Sequence, residues 1–114
     1  MPGMDEFQKE RKELAEHMMK KADVNMKRFL NLDMKVYEDG VLPAKQKEML
    51  GLAASLVLRC DDCINYHLVQ CNKAGVSEAE IVEVMDVGLV VGGSITIPHI
   101  RRALKSWEEL EAGK

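Results

Sequence analysis

Cys60 and Cys63 stand three residues apart, and His67 follows one helical turn after the second thiol. If the chain is helical from Cys63 onward, Cys63 and His67 are i,i+4 neighbours and can touch. A thiol that must ionise near neutral pH needs a nearby base or cation, and a second thiol within reach makes its oxidation reversible. The run Cys60-Asp61-Asp62-Cys63-Ile64-Asn65-Tyr66-His67 therefore points to redox chemistry. Asp61 and Asp62, between the thiols, oppose thiolate formation, and Asp61 also reads as a candidate helix N-cap.

The elements that must carry these residues read as helices throughout. Residues 5–22 place Phe7, Leu14, Met18 and Ala22 on one stripe, and residues 24–33 offer Met26, Phe29 and Leu30 before a Glu38-Asp39-Gly40 turn. Pro43 stands where a third helix would open. From Lys45 the stripe Met49, Leu52, Ala53, Leu56, Val57 and Cys60 keeps a 3–4 spacing. The following helix carries Cys63, Ile64, His67, Leu68, Cys71 and Ala74, with Gly75 as its stop signal. Ser77 and Glu80 form a capping box that opens a fifth helix along Ile81, Val84, Met85 and Gly88. The Gly92-Gly93 pair reads as a break, and the last helix follows Pro98 with Ile100, Ala103, Leu104, Trp107 and Leu110 facing inward. The expected fold is all-α, a compact bundle of about six helices in a single domain over residues 1–114.

With 46% hydrophobic and 31% charged residues the composition is that of a folded globule rather than a disordered chain. The net charge of −3, with basic and acidic residues interleaved, gives no footprint for nucleic acid. No apolar run reaches the roughly 20 residues of a membrane span. The first residues, Met-Pro-Gly-Met-Asp-Glu-Phe, have neither signal nor transit character, so the cytoplasm is the expected location. In that reducing compartment three cysteines do not make a structural disulfide framework.

Simpler readings compete at each position. Free cysteines are often just small buried residues, and Cys71 by itself reads as core. Cys60, Cys63, His67 and Cys71 also form a CxxCxxxHxxxC pattern. A continuous helix spreads its last three members over about 12 Å, too far along the axis for one tetrahedral zinc. No metal or other cofactor is expected. Tyr66 reads as pointing off the Cys63–His67 face, His99 as structural or facing a subunit boundary, and Arg101, Arg102 and Lys105 as a solvated face. Glu48 lies twelve residues before Cys60, about 120° away around an ideal helix, so periodicity does not bring the two together.

Glu48, Cys60, Cys63 and His67 at these spacings, followed by a Gly-Val-Ser-Glu segment, resemble the carboxymuconolactone decarboxylase-like family. The likeness is closest to its alkyl hydroperoxidase D branch and runs from about residue 45 to 102. That resemblance implies an all-α trimer or hexamer that reduces peroxides with a thiol pair. It assigns Cys63 as the attacking thiol, Cys60 as the resolving or proton-donating thiol, and His67 with Glu48 as a proton relay. Better-known members of the branch carry a histidine where this chain has Asp62. The function expected is thus a thiol-dependent peroxidase or related disulfide oxidoreductase, with a hydroperoxide or disulfide as substrate and a dithiol as reductant. A carboxymuconolactone-type decarboxylase and a non-catalytic oligomeric binding protein are the alternatives. A homo-oligomer is expected, because the core is thin and Gly88 and Gly92 would allow another backbone to approach.

Overall fold

The computed structural model describes residues 3–114. Six α-helices follow in order: α1 (Met4–Lys21), α2 (Val24–Val36), α3 (Ala44–Val57), α4 (Asp61–Lys73), α5 (Glu78–Gly92) and α6 (Ile97–Ala112). A single 3-10 turn, Ser94–Thr96, links α5 to α6, so the Gly92-Gly93 break falls where the sequence places it. There are no strands among the described residues.

Local chemistry explains most of the helix boundaries. The Asp23 carboxylate caps α2 by accepting the Met26 N–H at 2.9 Å. Ser77 and Glu80 make the reciprocal capping box of α5, at 3.1 Å and 2.9 Å. Pro98, in the first turn of α6, gives up an N–H that has no partner there in any case. At the end of α4, Gly75 turns left-handed (φ 81°) while Val76 N–H reaches back to Cys71 O at 3.0 Å. The same closure ends α3 with Arg59 in glycine's place (φ 59°) and Cys60 N–H donating to Ser55 O at 3.1 Å. The stripe from Lys45 therefore does not run on to Cys60: α3 stops at Val57, and Cys60 belongs to the start of α4.

The core lies among the last four helices. α3 packs against both α4 and α5, and α6 packs on α4. Leu52 and Leu56 of α3 meet Ile64, Leu68 and Cys71 of α4, Ile81 and Met85 of α5, and Ala103 and Trp107 of α6. Each large side chain buried this way contributes about 1.5–3 kcal/mol. Gly88 sets the α3–α5 spacing, since a Cβ there would stand 2.5 Å from Leu56 Cδ2. The two glycines are thus used inside the chain: Gly92 packs against Thr96 and the Val57 backbone.

The N-terminal helices differ from expectation. α2 buries none of its residues and α1 only Met4, so Leu14, Met18, Met26 and Phe29 are exposed. Periodicity located their apolar face correctly but not what lies against it. Leu104 also faces outward, whereas Ile100 and Leu110 pack against the core.

Candidate functional site

Cys60 is the N-cap of α4, and its sulfur accepts the Cys63 N–H at 3.2 Å. The N-cap role expected of Asp61 is therefore filled by a thiol. The Cys60 and Cys63 sulfurs are paired as a disulfide, with Cα atoms 5.3 Å apart. Cys63, in the first turn of α4, is exposed, while Cys60 is half-buried. The positive end of the helix favours negative charge on this motif when the pair is reduced.

One turn further along, His67 turns into the protein. Its Nδ1 lies 2.9 Å from Glu48 Oε1, and the two residues are 7% and 8% exposed. The carboxylate holds the Nδ1–H tautomer, which leaves Nε2 as the basic nitrogen. Glu48 and His67 thus meet across the α3–α4 interface. Gly51 makes this possible, because a Cβ there would stand 2.6 Å from His67 Cε1 and 2.8 Å from Nε2. No pattern in the sequence singles out Gly51.

Two tyrosines enclose the imidazole. The Tyr66 ring stands edge-on to it with centroids 5.1 Å apart, so Tyr66 does not point away from this face. Its own ring carries the Arg11 guanidinium at 4.0 Å. Tyr37, the C-cap of α2, packs at 5.3 Å between centroids and brings its hydroxyl to 3.5 Å from Nε2, a long hydrogen bond. Burial, reinforced by Glu48, raises the pKa of each phenol and keeps both protonated at neutral pH. No hydrogen bond joins Cys63 to His67 among the described residues.

The carboxylates between the thiols have different surroundings. Asp61 Oδ1 lies 2.8 Å from His99 Nδ1, and Oδ2 accepts from Arg102 Nε at 3.2 Å, with Nη2 of the same guanidinium 3.1 Å away in an ion pair. Arg102 is accordingly not a solvated bystander, and His99 serves within the chain. The guanidinium offsets the negative charge nearest Cys60, whereas Asp62 is exposed and has no ion-pair partner among the described residues. Cys71 lies in the core, where burial pushes its thiol up to about 12, so it stays uncharged at neutral pH. A groove of about 860 Å³ runs between α1, α2 and α4, lined in part by Leu14, Met18, Met34, Asp62 and Tyr66.

The sequence pattern of the carboxymuconolactone decarboxylase family matches residues 24–106. A Thermotoga maritima protein, described as a member of that family with a suggested part in the antioxidative response, is 54% identical. Its crystal structure superposes with a TM-score of 0.90, covering 94% of this chain and 91% of that one. A Legionella pneumophila family protein has the same fold at 23% identity, with a TM-score of 0.86 over 94% of this chain and 96% of that one. An uncharacterized protein of Cupriavidus necator is 29% identical over 66% of both chains.

Proposed function

Because the chain belongs to the carboxymuconolactone decarboxylase family, we propose that it uses Cys60 and Cys63 as a thiol-dependent peroxidase or a related disulfide oxidoreductase. The observation that carries this reading is the thiol pair at the start of α4, one helical turn from the buried His67–Glu48 pair. The antioxidative part suggested for the Thermotoga maritima relative agrees with it.

The reaction begins when Cys63 gives its thiol proton to His67 Nε2. The thiolate attacks the outer oxygen of a hydroperoxide; an S–O bond forms, the O–O bond breaks, and the departing alkoxide takes up a proton to leave as an alcohol. The Cys60 thiol then attacks the sulfenic sulfur. The disulfide forms, and the hydroxide expelled from Cys63 combines with the Cys60 proton as water. Two electrons have passed from the thiols to the peroxide, and an external dithiol restores them. Exposure makes Cys63 the sulfur that the reductant attacks, and the Cys63 N–H stabilises Cys60 as the departing thiolate. Glu48 holds the imidazole through Nδ1, which leaves Nε2 free to take the proton.

Alkylation and mass spectrometry test this on reduced protein exposed to one equivalent of hydroperoxide. Rapid loss of two thiols with a Cys60–Cys63 disulfide, abolished in Cys63→Ser, is the expected result; three thiols still free after long exposure would refute it. Lactone decarboxylation needs no thiol pair, and lactone turnover surviving loss of both cysteines would establish that activity instead. A homo-oligomer, trimer or hexamer, is part of the same proposal. Leu14, Met26, Phe29 and Met34 on α1 and α2 give it apolar surface to cover, and a monomer in light scattering would exclude it.

A further inference from the structure

α2 buries no residue of its own, yet the segment leaving it is held firmly. Lys47 Nζ of α3 donates to Val36 O at 2.9 Å and to Glu38 O at 2.8 Å, the carbonyls on either side of Tyr37. Just beyond, Asp39 Oδ1 accepts the Ala44 N–H at 2.7 Å, which ties the loop to the start of α3. A charged clamp on two carbonyls within one turn of backbone does nothing for the packing of α2. Its effect is to fix Tyr37, whose hydroxyl faces His67 Nε2.

We infer that Tyr37 is a further catalytic residue, completing a Glu48–His67–Tyr37 proton relay, and that Lys47 is its positioning residue. The inference deepens the peroxidase reading and rests on it. Glu48 holds Nδ1, Gly51 backs the ring, and Tyr66 meets its edge, so Nε2 is the nitrogen through which protons pass. His67 is buried whereas Tyr37 is half-exposed, so the phenol links the imidazole to solvent. As the O–O bond breaks, the Tyr37 O–H gives its proton to the alkoxide, and the imidazolium Nε2–H, carrying the former Cys63 proton, restores the phenol. Net, the thiol proton ends on the alcohol, and His67 and Tyr37 return to their starting states. The titratable groups that act on the phenol are His67 and Tyr66 of α4, Glu48 of α3 and Asp33 of its own helix; burial and the carboxylates keep it protonated until the alkoxide forms.

Leaving groups of different basicity test the role. A tert-butoxide must be protonated as it departs, whereas the acetate expelled from peracetic acid needs no proton. Stopped-flow oxidation of reduced wild-type protein, Tyr37→Phe and Lys47→Gln by both oxidants is the experiment. In Tyr37→Phe, which keeps the ring packing, oxidation by tert-butyl hydroperoxide should slow about a hundredfold and by peracetic acid less than about threefold. Lys47→Gln should show the same selectivity with a smaller loss. Equal slowing for both oxidants, or none for either, would overturn the assignment of Tyr37 while leaving the peroxidase reading intact. A wild-type protein inert to tert-butyl hydroperoxide would overturn both.

Discussion

Replacing Gly51 with alanine tests the geometry of the site with a single methyl group. In an unobstructed helix the change stabilises by about 1 kcal/mol. Here the new Cβ would stand 2.6 Å from His67 Cε1, against an ordinary contact of about 3.4 Å. The ring would have to retreat by about 0.8 Å. A retreat along the line to Glu48 Oε1 would stretch a 2.9 Å hydrogen bond to about 3.7 Å, which is no longer a bond. Overpacking costs about 1–3 kcal/mol, and leaving the buried Glu48 carboxylate without its partner costs about 1–3 kcal/mol more. These outweigh the helical gain, so Gly51→Ala should lower stability by about 1–5 kcal/mol and Tm by at least about 4 °C, with slower oxidation by peroxide. Thermal melts followed by circular dichroism measure the first effect. In a His67→Ala background the obstacle is gone, and the same substitution should raise Tm by a few degrees. A Gly51→Ala protein with a higher Tm and unchanged oxidation rate would show that the glycine is incidental.

Arg102→Ala should expose the thiols to the unopposed charge of Asp61 and slow their alkylation at neutral pH about three- to tenfold; Asp61→Asn in the same chain should restore the rate. Ser77→Ala should cost about 1 kcal/mol, read by urea denaturation. The capping box also depresses the Glu80 pKa through the Ser77 backbone hydrogen bond. Its contribution should be present above the ordinary carboxylate range and fade as pH falls through the depressed value. Cys71, raised to about 12 from 9.0, should resist alkylation until the protein unfolds. Because the unfolded chain loses this proton first, its contribution to stability should be whole below pH 9.0 and decline between there and about 12.

What the sequence revealed were features encoded by neighbours. Gly75, the Ser77–Glu80 box, Pro98 and the CxxCxxxH spacing act within one or two turns, where residue type and geometry are closely linked. The meeting of Glu48 and His67 depends on how closely α3 approaches α4, and so on a glycine whose part appears only once the helices are packed. Arg59 was invisible as a helix terminator because that left-handed position usually goes to glycine. Asp61 pairs with His99 and Arg102 across 38 and 41 residues, beyond the reach of any periodic argument. The apolar stripes of α1 and α2 are legible as faces, but a pattern tells which face is apolar, not what covers it.

That loosely held N-terminal pair of helices has a consequence for heat inactivation. α3 to α6 hold nearly all the buried side chains, whereas Tyr37 reaches the imidazole from an element that buries nothing. Local opening of such an element requires less free energy than global unfolding. On warming, the phenol should therefore leave His67 while the four-helix core still gives its full helical signal. The temperature at which the protein stops working would lie below the temperature at which it melts. The gap between them measures how firmly two carbonyls and one lysine hold the outer piece in place.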